Sequence, residues 1–328
     1  MSTLETDYKL EQEKLQSKLL KEKYIGFDGA TGKIWKIIEG KDLRTSKIIN
    51  DEQAEKNLFR DIRQQAIEYF ELNLIDWWKL NSEGPNVVPG VLLSSQIACL
   101  NHLFGIRQDK EAVLAMINGL KPIFTDVKTL PFDAVDTQGY ISFEVVSDKN
   151  VLGEKVCKEA TRGAFCTSID ALIWAVDIDN NEWILPIEWK YTEAYEEEDL
   201  SMGNKGKTRL GIYSKLIDSS KHLRQVSNYA GSLYFKEPIY QLMRQMLNVE
   251  YMLCKGEYGW SKNAKILQID VVPDGNVVLR KQVRPYTDLL KNPDEYYMIS
   301  PKKLFEPLAE SIKYHNLLTY LNERYWQD

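Results

Sequence analysis

Cysteine is scarce: four residues in the 328-residue chain, Cys99, Cys157, Cys166 and Cys254, with no Cys-x-x-Cys pair and no paired histidines. That scatter excludes a zinc-ribbon type of site and offers no disulfide framework. Buried or unremarkable thiols in a reducing cytoplasm are the expectation. Histidine is rarer still, and His102, His222 and His315 have no ligand spacing, so each is expected to be structural or exposed. No apolar run reaches the ~20 residues needed to span a bilayer. The opening Met-Ser-Thr-Leu-Glu-Thr-Asp lacks the basic cap and apolar run of a signal peptide. A basic excess is missing too: the net charge is −6, which is the main compositional point against a nucleic-acid partner. A local basic strip can still bind a phosphate backbone on an acidic protein, and carboxylates that hold a cation are neutralised by it. Internal repeats and low-complexity segments are also lacking.

What is present is an ordinary apolar fraction and plentiful aromatic residues, enough for one large domain or one core with helical additions. The most informative stretch runs from Asp170-Ala-Leu-Ile-Trp-Ala-Val, through Asp179-Asn180-Asn181, to Trp183-Ile-Leu-Pro-Ile-Glu188-Trp-Lys190-Tyr191. Two runs of branched and aromatic residues around an Asp/Asn cluster predict a β-hairpin. Residues two apart share a strand face, so Glu188 and Lys190 project together. Asp170 starts one strand where Lys190 ends the other, so two carboxylates and an ammonium can meet at one edge. Mg²⁺ prefers oxygen ligands and is often held by only one or two carboxylates. Such an ion can polarise a phosphoryl oxygen and acidify a bound water; a neighbouring lysine can orient that water or offset developing charge. Gly139 to Ser147 reads as another strand, the first of the core sheet. Glu144 inside it is costly unless a cation or hydrogen bonds compensate, which makes it a further candidate metal ligand or an exposed edge residue.

Asp170, a gap, then Glu188-Trp-Lys190 resembles the signature of the PD-(D/E)xK nuclease superfamily, with Ser168-Ile169 preceding Asp170 where that family has proline. His222 to Phe235 has helical spacing and places Gln225 and Tyr229 four apart on one face, similar to the Gln-x-x-x-Tyr motif of the RecB-like branch. The resemblance covers roughly residues 90 to 275. It implies an α/β fold, a restriction-endonuclease-like α-β-β-β-α-β core with a mixed sheet, here with N- and C-terminal helical additions. The corresponding divisions are 1–89, 90–275 and 276–328. It also implies a Mg²⁺-dependent deoxyribonuclease, Mn²⁺ substituting, in which Asp170, Glu188 and the carbonyl of Trp189 hold the metal. Lys190 then positions or activates the attacking water, and Gln225 and Tyr229 support the site or touch the scissile phosphate. DNA is the implied partner, bacterial defence or DNA processing the setting, and a homodimer an arrangement known by analogy only. The alternatives are an inert nucleic-acid- or protein-binding module that keeps the fold, and an ordinary surface ion cluster on an unrelated α/β protein.

Other segments carry weaker signals. Residues 4 to 24 predict a charged helix with Leu10, Leu15, Leu19 and Leu20 on one face, packing on the domain or a partner; Gly26, Gly29 and Gly32 should end it. Residues 51 to 80 predict an amphipathic helix running into Trp77-Trp78, whose indoles read as core rather than base-stacking platforms. Asn81 to Gly90 reads as a loop, then Leu93 to Gly105 as a helix. Ser94, Gln96 and Asn101 on that helix could touch metal water or DNA phosphate, with capping and buried amide bonds as the plainer reading. Arg162, before Gly163-Ala164-Phe165, suits a phosphate or an ion pair. Glu193 lies close enough to join the site, and Glu196 to Asp199 reads as a solvated loop. Ser201 to Gly211, with Lys205, Lys207 and Arg209, reads as a basic or plain surface loop. Its Gly206-Lys207-Thr208 lacks the first glycine and the preceding strand of a P-loop. Ala264 to Pro273 predicts a strand and residues 301 to 326 a helical tail, with Leu304, Leu308, Ile312, His315, Leu317 and Tyr320 recurring.

Overall fold

The computed structural model describes residues 4–78, 86–131, 133–154, 162 and 166–327. Residues 81–85 of the expected loop, Cys157 and Gly163 to Phe165 lie outside them. In chain order the regular elements are α1 (Asp7–Lys21), β1 (Gly32–Ile38), β2 (Lys41–Ile49), α2 (Arg63–Leu72), α3 (Ser95–Leu103), α4 (Lys110–Leu120), β3 (Phe124–Lys128) and β4 (Ile141–Val145). Then come β5 (Ile169–Asp177), β6 (Glu182–Trp189), α5 (Gly203–Ser219), α6 (Ile239–Lys255), β7 (Lys265–Ile266), β8 (Gln268–Val271), α7 (Val277–Val283), β9 (Tyr296–Ile299), α8 (Pro301–Leu304) and α9 (His315–Arg324).

The anticipated hairpin, β5 and β6, is the middle of a seven-stranded mixed sheet ordered β3-β5-β6-β8-β9, with β4 also on β5 and β7 on β6. Its turn is built by Asp177, whose Oδ1 accepts the N–H groups of Asp179 and Asn181, while Asn180 takes the left-handed φ of 61° that asparagine tolerates. β5 and β6 are antiparallel, whereas β6, β8 and β9 run parallel. Both faces of the hairpin are covered: Ala171, Ile173, Leu185 and Ile187 pack with α3, α4 and the C-terminal helices, and Leu172 and Ile184 pack with α5 and α6. Strands sandwiched between two helical layers read as continuous apolar runs rather than alternating ones.

Several sequence expectations need correction. β4 is not the first strand of the sheet, because β3 precedes it and pairs with the other end of β5. The 51–80 helix is a 3₁₀ stretch, Asp51–Asn57, followed by the shorter α2. Residues 203–219 are helical, not a loop. The C-terminal tail is broken into short pieces, with Pro301 opening α8 and Pro307 set in a 3₁₀ turn, Glu306–Leu308, and Ile312 and His315 are exposed. The buried face of α1 is Tyr8, Gln12, Gln16 and Leu20; Leu10, Leu15 and Leu19 are only half-buried. Its glutamines bond rather than pack: Gln16 donates to the Arg324 carbonyl at 2.6 Å and accepts from the Arg324 guanidinium at 3.1 Å. Trp77 is core, but Trp78 is exposed. The β1–β2 hairpin had no counterpart in the sequence reading.

β4 is held by a buried charge cluster. Asp133 receives Arg107 at 3.2 Å and Arg162 at 3.0 Å, plus the Tyr69 hydroxyl at 2.7 Å and the Ser142 hydroxyl. Both guanidiniums also donate to the β4 backbone, at Ile141 and Phe143. Arg162 is therefore an internal brace rather than a phosphate ligand. Asp133→Ala would strand two buried guanidiniums, and such a loss costs about 3–5 kcal/mol. The expected result is a lower urea midpoint with an unchanged m-value; a shift smaller than ~0.5 kcal/mol, the surface-substitution range, would show that the cluster does not support the fold.

Candidate active site

Asp170 lies on β5 beside Glu188 on β6, one step outside the Ala171–Ile187 pair. The two carboxylates and Lys190 line an open cavity of about 340 Å³, together with Trp189, Glu144, Ser94, Gln96 and Glu193. Glu188 Oε1 is 2.6 Å from Lys190 Nζ, and both side chains are buried. Asp170 Oδ2 accepts the Trp189 N–H at 2.7 Å. Lys190 also donates to Gln241 Oε1 at 2.6 Å.

Burial first, then the charges of Glu188 and Glu144, push the Asp170 carboxyl well above the usual range. Glu144 is raised by burial as well, against the hydrogen bonds it accepts. Burial works against the Lys190 ammonium, but Glu188, Tyr195, Glu193 and Asp170 outweigh it and hold it firmly protonated. Four carboxyls, Asp170, Glu188, Glu144 and Glu193, thus line the cavity with Lys190 and Arg244, and where burial and mutual repulsion favour the proton on Asp170 and Glu144, a bound cation can take its place.

Glu144 has a backbone φ of 50°, rare for a residue with a side chain, where β4 passes Asp170. Its carboxylate accepts from Gln96 at 2.7 Å, Trp78 Nε1 at 3.1 Å and Ser168 at 2.7 Å. Ser94 caps α3 by accepting the Ile97 N–H, and Glu193 accepts from Ser95 and from the Tyr191 N–H. Asn101 lies outside the cavity, bonded to Phe59, Asn57 and Tyr325; for it the plainer reading holds.

Gln225 and Tyr229 do not reach this place. The segment after α5 is not helical, because Ser220 Oγ takes the N–H groups of His222 and Leu223 and Arg224 donates its N–H to Leu289. Those bonds compete with an i→i−4 ladder. Gln225 and Tyr229 instead bond Asp218 at the end of α5. The helix that does face the carboxylates is α6, whose Gln241 and Gln245 are four apart: Gln245 donates to Glu188 Oε2, and Gln241 accepts from Lys190. That pair was missed, although its spacing and its place after the Glu-x-Lys strand were available signals. Asp270 was also missed. It stands opposite Glu188 on β8, with Oδ2 accepting from Tyr296 at 3.1 Å and Oδ1 without a partner.

A hard divalent cation fits this donor set. Among the described residues no three His, Cys, Asp or Glu side chains are clustered closely enough to hold a metal by themselves, but a Mg²⁺ ion needs only one or two carboxylates and keeps its waters. Gln245 Oε1 beside Glu188 is a buried oxygen without a hydrogen-bond partner, a further donor of the hard type.

A mixed sheet between helical layers, with this acidic pair and lysine on its central hairpin, is a restriction-endonuclease-like α/β architecture. Residues 18–326 match the family model described as Restriction Endonuclease associating with ARP, and the chain belongs to that family. No curated protein and no solved structure gave a match. Among the described residues no helix is long and apolar enough to cross a membrane.

Burial, then Glu188, moves the Asp270 carboxyl up to about 7. The folded state thus binds that proton more tightly than the unfolded chain, whose aspartates titrate near 4. Its contribution to stability is complete below about pH 4 and is lost as pH rises through 7, at up to ~1.4 kcal/mol per unit. Chemical denaturation in EDTA should show this decline, and Asp270→Asn should flatten it. An unchanged slope in the variant would contradict the assignment.

Proposed function

We propose that this protein is a Mg²⁺-dependent deoxyribonuclease that hydrolyses phosphodiester bonds, with Mn²⁺ able to substitute. The observation that carries the reading is the meeting of Asp170, Glu188 and Lys190 at one open cavity where carboxyls outnumber basic side chains. Asp170 and Glu188 would hold the ion, joined by the carbonyl of Trp189, with Glu144 as a further candidate. When bound, such a cation lowers the pKa of water and offsets charge on the phosphoryl oxygens.

The remaining roles belong to the chain's own side chains. Lys190, kept protonated by its carboxylate neighbours, orients the attacking water or donates to a non-bridging oxygen as charge builds there. The water oxygen bonds to phosphorus as the bond to one ester oxygen breaks, and the proton the water gives up balances the one the departing oxygen takes up. Gln245 restrains Glu188, and Gln241 restrains Lys190, the supporting role that the sequence had suggested for Gln225 and Tyr229. Host defence or DNA processing suits a member of this family, and the ARP of the family's description is the proposed protein partner.

A second reading, an inert binding module, draws on the closure of Lys190 and Gln245 upon Glu188. Nicking of supercoiled plasmid separates the two. Wild type with Mg²⁺ or Mn²⁺ should nick, EDTA should stop it, and Lys190→Ala or Glu188→Gln should lower the rate by about 10²–10³-fold, the usual worth of a positioned charge. Tyr229→Phe should stay within about twofold, since a surface residue contributes little to the reaction. Absent nicking, with no Mg²⁺ heat of binding, would support the inert module instead, whereas nicking that survives EDTA would overturn the metal dependence.

A further inference from the structure

The β1–β2 hairpin is tied to the body at its base, where Lys33 pairs with Asp51 and Lys47 with Glu13, and its far end is uncovered. Its stem is anchored: Ile49 is buried with Leu20, Phe27, Ala30 and Leu92, and its N–H donates to Gly90 at 2.8 Å. Beyond that stem every described side chain from 34 to 44 is exposed, on both faces of the ribbon. Trp35 is 84% exposed, Ile37 66% and Leu43 50%. Trp35 sits at a break in register, since Ile34 pairs with Arg44 and Lys36 already pairs with Leu43. A two-stranded ribbon is at best marginal in water by itself, and exposed apolar groups of this size mark an interaction surface.

The charge says what kind of surface it is. Residues 32–49 hold Lys33, Lys36, Lys41, Arg44 and Lys47 against Glu39 and Asp42, a net +3 on a chain of net −6. Lys36 and Lys41 form no ion pair among the described residues, and Arg44 meets only Asp42, at 3.4 Å on the exposed surface. The hairpin is also placed beside the cavity. Ile48 bridges to Val91, and the chain from Val91 leads directly to Ser94 and Ser95 on the cavity wall.

We propose that this hairpin is a DNA-gripping arm, binding a duplex next to the phosphate that enters the cavity. The inference rests on the DNA reading given above. A seven-residue strand spans about 20 Å at the usual rise, and a two-stranded ribbon fits the major groove. Lysines and Arg44 neutralise phosphates along its edges, while Trp35 and Ile37 lie against bases or sugars. An acidic body with one basic arm also directs where a polyanion lands.

The test is fluorescence anisotropy of a short labelled duplex with the full chain, Ca²⁺ replacing Mg²⁺ to withhold turnover. The triple change Lys36→Ala, Lys41→Ala and Arg44→Ala should weaken binding at least ~tenfold and reduce the slope of log affinity against log salt by about 2.7, the value for three lost phosphate contacts. Because all three side chains are exposed, the fold should be retained, which a thermal melt checks. Trp35→Phe should remove the tryptophan fluorescence change that accompanies duplex binding. Unchanged affinity and salt slope, or no duplex binding by the wild type, overturns the proposal; so does a hairpin whose alteration disturbs only binding to a protein. Plasmid nicking is read separately: nicking that persists with unaltered binding in the triple variant removes the arm and leaves the nuclease, whereas hairpin-dependent binding without nicking does the reverse.

Discussion

Placing charge inside a protein is costly, and the centre of this sheet places a good deal of it there. Glu188 near the end of β6 and Lys190 just past it are both buried, and Asp170 adds a second carboxylate from β5. In a low-dielectric interior neither sign is tolerated without partners. Lys190 answers Glu188, and the N–H of Trp189 answers Asp170. Two glutamines of α6 complete the shell. The supply remains short: carboxylates outnumber cations, and oxygens of Gln245 and Asp270 stay unbonded. Buried polar groups are ordinarily satisfied, so carboxyls in excess of basic partners beside an open cavity make a place where a cation is worth most.

The surrounding layers maintain that arrangement. β4 brings Glu144 to the cavity in a strained backbone state, and the Asp133 cluster with Arg107, Arg162 and Tyr69 grips the same strand on either side. At the far side of α3, Arg324 is fully buried and has no carboxylate partner among the described residues. It donates instead to Asn57, Gln16 and Tyr320 and lies over the ring of Phe27 at 4.5 Å. Through Gln16 and Arg324 the first and last helices are tied together. Neither cluster touches the reacting groups; both limit how far the strands and α3 can shift relative to one another.

The outer surface follows a different rule. Most basic side chains are distributed among acidic ones, in keeping with the chain's net negative charge. The β1–β2 ribbon concentrates positive charge and exposed apolar groups toward its far end. An arm of that kind has little influence on whether the core folds. It is free to be shaped by what it meets.

The central hairpin was legible from residues alone, since branched and aromatic runs around an Asp/Asn turn have few alternatives, and period-two geometry then sets Glu188 beside Lys190. The mixed α/β class and several helices followed from local pattern in the same way. The choice of supporting helix did not. Gln225/Tyr229 and Gln241/Gln245 have the same spacing, and it is the local turn at Ser220 together with the long-range bond from Arg224 to Leu289 that leaves the first pair in an irregular segment. Asp270 was illegible for a related reason: its proximity to Glu188 exists only because β8 pairs in parallel with β6, far away in sequence. Local periodicity determined what each segment could become. Which segments meet, and therefore which charges must answer one another, was decided by tertiary packing, because burial and pairing energies depend on neighbours that the chain brings together only when folded.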